Sequence, residues 1–309
     1  MIEGGRRALL LVDALSGHGK AAKTYIDALE ATGMTLIRRE APRSRVGELI
    51  VSMRHDIDCV VMAGGDGMLS AGAIALRDTG LPLGILPIGT ENDLAHTLSI
   101  PIDPEGAAGV IDAGAMRAIS LGSVNGRPFF AVASVGLTVA GARHLSRAAG
   151  ASMGRLGFAG AAFRLLLQQR RFSAIIRCGS TVHRVRTVQI TIGNGRLYIG
   201  GMAVGAPDHV DDTRLAVYSL EPRARWGLMF LSKLFGGEQD PNSFLEVRTA
   251  HSAVVEVVTR MPQQISADGE VVTVTPARFS MMPRAVRVYA APASELPRWD
   301  DRPTTMESL

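Results

Sequence analysis

Lysine is nearly absent from this 309-residue chain: Lys20, Lys23 and Lys233 stand against thirty arginines. The formal net charge is +4, yet no dense basic tract occurs. Aromatic residues make up 5% of the chain, too few for a stacking platform. Nucleic acid is therefore disfavoured as a partner, and a basic surface suits anionic headgroups and small phosphates better. Cysteine is scarce too. Cys59 and Cys178 lie far apart, without metal-ligand spacing, and both are expected to be buried thiols in a reducing cytosol. His55, His144, His183 and His251 show no ligand spacing either. No run of about 18 apolar residues exists, which argues against a spanning helix. The opening residues lack a secretory pattern, because the apolar run after Arg7 soon meets Asp13. No internal repeat is visible.

What is present describes a folded chain, with 47% hydrophobic and 20% charged residues. Its length favours two domains. Up to about residue 115, apolar runs alternate with helical patterns. Strands are expected at Ala8–Asp13, Met34–Arg39, Asp58–Ala63 and Leu83–Leu86, and helices at Lys20–Ala31, Val46–Arg54 and Met68–Arg77. Such alternation predicts a doubly wound parallel α/β/α domain over 1–115. From residue 116 the texture becomes β-rich. Strands are expected at Ala118–Val124, Pro128–Val135, Phe172–Cys178, Thr181–Ile192, Arg214–Ser219, Val254–Val258, Glu270–Val274 and Arg284–Tyr289. A sandwich over 116–290 follows, with a helical insertion near 139–170 and an irregular tail over 291–309.

Two turns carry the chemistry: Gly64-Gly65-Asp66-Gly67 and Gly89-Thr90-Glu91-Asn92-Asp93. Each follows an apolar run, so each lies at the carboxyl edge of the expected sheet, where open α/β folds bind ligands. Glycine amides at a helix N-terminus can approach phosphate oxygens closely. Asp66 would repel bare phosphate, so its natural partner there is phosphate-bound Mg²⁺. Together the two turns point to a nucleotide-dependent phosphotransferase.

Gly-Gly-Asp-Gly followed by Gly-Thr-x-Asn-Asp resembles the diacylglycerol kinase catalytic superfamily, which includes soluble bacterial diacylglycerol kinases and sphingosine kinase-like lipid kinases. Ser16-Gly17-x-Gly19 is similar to the family's first nucleotide loop, Ala267-Asp268-Gly269-Glu270 to its Asp-Gly-Glu signature, and Pro283–Val288 to its closing strand. The resemblance implies an ATP- and Mg²⁺-dependent lipid kinase with its active site in the cleft between the domains. Ser16, Gly17, Gly64, Gly65, Asp66, Gly67, Thr90, Asn92 and Asp93 would hold the nucleotide, and Asp66 and Asp93 its metal. Asp212 would ligate a structural Mg²⁺, although Thr213 replaces the usual glycine. Asp268 or Glu270 would be the base facing a lipid alcohol such as a diacylglycerol, sphingoid base or ceramide. Peripheral contact with the inner membrane surface from the cytoplasm is implied, and a homodimer is left open.

Departures from the family pattern are Asp13-Ala14 for Asn-Pro, His18 and His96 for two basic residues, and Met68 for threonine. Glu40 likewise stands for a threonine and Ser120 for an aspartate. Two alternatives therefore stay open: an NAD kinase-like enzyme, and a divergent lipid- or nucleotide-binding protein with weak or absent activity. Local structure offers its own alternatives, since Asp268-Gly269 also reads as a hairpin turn and the segment around Asp212 as an acidic surface turn.

Overall fold

A computed structural model describes residues 6–13, 19–89, 92–136, 171–194, 197–199, 202–204, 214–222 and 245–291. The first half alternates as the sequence predicts: β1 (Arg7–Asp13), α1 (Gly19–Glu30), β2 (Thr35–Ala41), α2 (Arg43–Met53), β3 (Cys59–Gly64), α3 (Asp66–Thr79) and β4 (Leu83–Pro87). Two helices not expected from the sequence follow, α4 (Asp93–Thr97) and α5 (Pro104–Ala113). The second begins with a cap that is visible in retrospect: the Asp103 carboxylate accepts the Gly106 N–H at 2.8 Å, ahead of Pro104.

The four strands run parallel in the order β2-β1-β3-β4. β3 and β4 are buried at every position, as continuous apolar runs covered on both faces must be. The strand order reverses between β1 and β3, so the loops leaving these neighbours open the crevice typical of such sheets.

The remaining elements are β5 (Met116–Val124), β6 (Arg127–Phe129), β7 (Val132–Gly136), β8 (Phe172–Cys178), β9 (Thr181–Thr187), β10 (Gln189–Gly193), β11 (Leu197–Ile199), β12 (Met202–Val204), β13 (Leu215–Pro222), β14 (Leu245–Ser252), β15 (Val254–Thr259), β16 (Gln264–Ala267), β17 (Glu270–Val274) and β18 (Ala277–Tyr289). Apart from β11 and β12, which make a separate two-stranded sheet, they form the expected sandwich. β18 lies parallel to β4 through Val288 and Leu83 and antiparallel to β5 and β15. The parallel sheet thus continues as β4-β18-β15-β8-β9, facing a second sheet ordered β14-β13-β10-β7-β16-β17. Two hydrophobic cores result. One lies around β1, β3, β4 and their helices; the other, with Phe129, Ile190, Val257 and Phe279, fills the sandwich. Cys59 and Cys178 are buried free thiols.

Two expected strands prove to be broken. Pro128–Val135 divides at Phe130-Ala131, and Thr181–Ile192 divides at Val188, because in both the chain passes from one sheet to the other. The expected helical insertion near 139–170 and the tail lie outside the described residues.

Candidate active site

The Gly64-Gly65-Asp66-Gly67 turn joins β3 to α3, with Gly65 as the N-cap. The first amides of any α-helix lack intrahelical acceptors, and here they belong to this motif. A side chain would be crowded at three of its positions. A Cβ on Gly64 would lie 2.7 Å from Met68 Sδ, and one on Gly67 would lie 2.4 Å from an Arg43 guanidinium nitrogen. One on Gly65 would come within 3.1 Å of Gly89 Cα. The two glycine turns are therefore in backbone contact.

Asn92 locks the second turn. Its backbone is left-handed (φ 51°), its Oδ1 accepts the Gly89 N–H at 2.9 Å, and its Nδ2 donates to the Gly89 carbonyl at 2.9 Å and the Pro87 carbonyl at 3.3 Å. Asp66 closes the pair, with its Oδ1 accepting the Leu94 N–H at 3.2 Å. Asp93 opens α4 beside it in sequence.

Asp268 and Gly269 form the turn between β16 and β17, with positive φ at both (45° and 84°), and Glu270 opens β17. Such a two-residue turn matches the twist of a hairpin. It is also more than a turn. The Asp268 carboxylate points inward and is almost fully buried. Its Oδ2 accepts the Phe130 N–H at 2.8 Å, and its Oδ1 accepts the N–H groups of Ala131 at 3.0 Å and Val132 at 3.1 Å. These amides lie where the β6–β7 strand breaks, and the carboxylate satisfies donors that the break would otherwise strand. A fourth donor is the Ser70 hydroxyl, one turn along α3 from Asp66 and on the same face. Burial pushes the Asp268 carboxyl above the ordinary carboxylate range, against the pull of Ser70 and the three amides.

Glu270 makes the second link to the nucleotide loops. Its carboxylate pairs with Arg43 at 2.8 Å, and the same guanidinium reaches Asp13 at the end of β1, at 3.3 Å. Arg43 is the first residue of α2 and lies against Gly67. Both carboxylates of the hairpin therefore meet the first turns of α3, Asp268 through Ser70 and Glu270 through Arg43. Among the candidate residues, Gly64, Gly65, Asp66, Gly67, Asn92, Asp268 and Glu270 come together here, and Asp93 follows in α4. Ser16, Gly17, Thr90 and Asp212 lie outside the described residues.

Arg43 and Ser70 are the participants that sequence reasoning passes over. Arg43 sits in an ordinary turn ahead of the expected helix over Val46–Arg54 and Ser70 in the helix expected over Met68–Arg77, and only the return of the chain some two hundred residues later gives each its partner in the hairpin. Asp13, noted as a departure from Asn-Pro, acquires a reason: the carboxylate pairs with Arg43. Met68 is fully buried beneath Gly64, and Ser120 is buried with its Oγ accepting the Arg284 N–H at 3.3 Å.

Two family matches cover most of the chain. Residues 7–124 match the diacylglycerol kinase catalytic domain, and residues 131–290 match the YegS C-terminal NAD kinase beta sandwich-like domain. The chain belongs to the diacylglycerol kinase catalytic superfamily. A Pseudomonas savastanoi pv. phaseolicola protein named "Probable lipid kinase YegS-like" is 32% identical over 302 residues, covering 92% of this chain and 93% of its own. An uncharacterised Synechocystis protein is 28% identical over 235 residues, and there the match spans only 54% of the relative's length. A crystal structure of a diacylglycerol kinase from Bacillus anthracis str. Sterne superposes with a TM-score of 0.69 at 19% identity, covering 93% of this chain and 98% of that one. At that identity the likeness concerns the fold of the superfamily.

Among the described residues no three carboxylate, imidazole or thiolate groups cluster tightly enough to cage a metal. The donor set at the glycine turns fits a different arrangement. Mg²⁺ in phosphoryl-transfer sites usually takes one or two carboxylates and completes its shell with phosphates and waters. Asp66, at the turn between the two loops, is a donor of that kind. No described helix is long and apolar enough to cross a membrane.

Proposed function

We propose that this protein transfers the γ-phosphoryl group of ATP to the hydroxyl of a lipid alcohol. The observation that carries this reading is the convergence of both glycine turns and the Asp-Gly-Glu hairpin on the first turns of α3. A match of the first half to the diacylglycerol kinase catalytic domain favours a lipid acceptor over the NAD kinase alternative. The amides of Gly65 to Gly67 bind phosphate oxygens at the helix N-terminus. Asp66, with Asp93, would hold the nucleotide's Mg²⁺, which would supply neutralisation of the charge developing on the transferred group.

The acceptor hydroxyl must lose its proton as its oxygen attacks phosphorus and ADP departs. Asp268 is the base in this reading. Its burial raises its proton affinity, and three backbone amides fix its orientation. All four of its lone-pair positions are occupied, and only the Ser70 hydroxyl can rotate away. The acceptor hydroxyl takes Ser70's place against Oδ2. Glu270, exposed and paired with Arg43, anchors the hairpin to the nucleotide loops. The enzyme works at a lipid surface, meeting the cytoplasmic face of the membrane peripherally.

The experiment is incubation of total lipid extract and labelled ATP-Mg²⁺ with wild-type, Asp268→Asn and Glu270→Gln protein, read by mass spectrometry. Label should appear in a lipid phosphomonoester with wild type. The base variant should lose roughly two to four orders of magnitude in kcat, with ATP affinity nearly unchanged, and Glu270→Gln should lose less. Label in NAD instead of lipid would overturn the reading.

A further inference from the structure

The outer face of the sandwich at β8, β9 and β15 carries an unusual concentration of charge. Register places Val182, Arg177, Glu256 and Arg278 in one row across four strands, with Arg184, Ile175 and Val258 in the next and Arg186 and Ser173 in a third. Arg260 follows directly after β15. Alternate residues of a strand share a face, and the intervening ones, Ala174, Ile176, Val185, Val255 and Val257, are buried in the sandwich core. Among the described residues the exposed side of these strands therefore sets five arginines, Arg177, Arg184, Arg186, Arg260 and Arg278, against one glutamate, and the exposed Arg171 directly precedes β8.

Arg177 and Arg278 share Glu256, at 3.5 and 3.9 Å. Arg184, Arg186 and Arg260 pair with no carboxylate among the described residues, and they line an open groove of about 530 Å³ together with Ser173, Ile175 and Val258. Apolar groups sit among them: Val182 is 52% exposed, Val258 36% and Met261 68%. Arginine planes among exposed aliphatics fit a surface that offers phosphate and hydrocarbon side by side.

We infer that this face docks the protein on an anionic phospholipid bilayer. The inference rests on the lipid-kinase reading for its purpose, though not for its test. A second copy of the chain is a poor occupant, because a two-fold contact would set the same five arginines against themselves. Nucleic acid is a poor one too, since among the described residues the face presents no aromatic ring for bases to stack on.

Sedimentation with large vesicles tests this, using phosphatidylcholine alone or mixed with phosphatidylglycerol and no nucleotide. Wild type should bind the mixed vesicles, in a salt-sensitive way, and ignore the neutral ones. The combined Arg184→Gln, Arg186→Gln and Arg260→Gln variant should bind the mixed vesicles on the order of 100-fold more weakly, since each arginine near an anionic surface is worth about 1 kcal/mol. The corresponding triple lysine variant should retain binding. Lipid phosphorylation in neutral detergent micelles should be unchanged by the glutamine substitutions, while phosphorylation of vesicle-borne acceptor should fall. Equal binding of wild type and the glutamine variant, or binding to neutral vesicles, would overturn the inference and leave the kinase reading intact. Charge-dependent binding without phosphorylation in any medium would overturn the kinase reading alone. A wild-type dimer that dissociates on glutamine substitution, measured by light scattering, would assign the face to self-association instead.

Discussion

Replacing Gly89 by alanine should disable the enzyme through a shift of about one ångström. The added Cβ would lie 2.5 Å from Gly65 Cα and 2.6 Å from Asn92 Oδ1. Ordinary contacts of a Cβ begin near 3.4 Å, so the two glycine turns must part by nearly 1 Å. Neither neighbour can yield cheaply. One is backbone, and the other is a side chain held by three hydrogen bonds to the same loop. Overpacking of this kind costs roughly 1–3 kcal/mol of stability, and a misplacement of about 1 Å in a phosphate cradle can cost about 100-fold in rate. The reciprocal change is milder. A Cβ on Gly65 meets Gly89 Cα at 3.1 Å and needs only a few tenths of an ångström. Gly109→Ala in α5 is the control, for it meets nothing within 4 Å and should raise stability by about 0.4–1 kcal/mol through the unfolded chain. Steady-state kinetics with ATP-Mg²⁺ and calorimetric unfolding should rank activity as Gly109→Ala, then Gly65→Ala, then Gly89→Ala. A Gly89→Ala protein with wild-type kcat, or one less affected than Gly65→Ala, would refute the claim that the turns are in contact for function.

Asp66→Asn should abolish turnover yet leave the fold intact, because its side-chain oxygen can still accept the Leu94 N–H; more than about a tenth of wild-type activity would contradict a metal-holding role. Asp268→Asn should also destabilise the protein, by roughly 1–3 kcal/mol in denaturant titration, because its amide nitrogen turns a donor toward the N–H groups that one carboxylate oxygen had accepted. Activity should fall on acidification, as a base whose proton affinity is raised by burial refills above the ordinary carboxylate range. Asp268→Asn should lack that acidic limb in its kcat profile. Arg43→Ala should cost roughly 1–3 kcal/mol of stability, since it takes a cationic partner from the buried Asp13 carboxylate, and should lower kcat by releasing the hairpin; equal kcat in Arg43→Ala and wild type would sink the anchoring role.

Much of the nucleotide half was legible from sequence because its signals are local. Continuous apolar runs ending on glycines give buried parallel strands and their edge turns, and β3 and β4 follow those runs within a residue or two. The sandwich was harder. Phe130-Ala131 and Val188 show no break in their β-branched and apolar pattern, since a strand that changes sheets is buried on both sides of the corner. The strands β14 and β16 escaped notice although turn formers flank both, Asp240-Pro241-Asn242 ahead of β14 and Asp268-Gly269 after β16; β16 is only four residues long. The site divides along the same line. Gly65, Asp66 and Asn92 announce themselves by spacing, whereas Arg43 and Ser70 acquire meaning only from partners 227 and 198 residues away.

Asp268 shows why hairpin and active site need not be rival readings of Asp-Gly-Glu. A left-handed residue followed by glycine is what a two-residue hairpin requires, and aspartate tolerates that conformation better than most residues. The same backbone turns the carboxylate inward, onto the three amides released where β6 gives way to β7. Those amides need acceptors where the strand breaks, and a carboxylate is the side chain best able to accept several N–H bonds at once. The strand break therefore brings an oriented carboxylate to the domain junction as a consequence of folding, and Ser70 carries it to within one helical turn of Asp66. The charge that completes the fold thus stands beside the Gly64–Gly67 turn, which is where the proposed transfer would need a base for the acceptor hydroxyl.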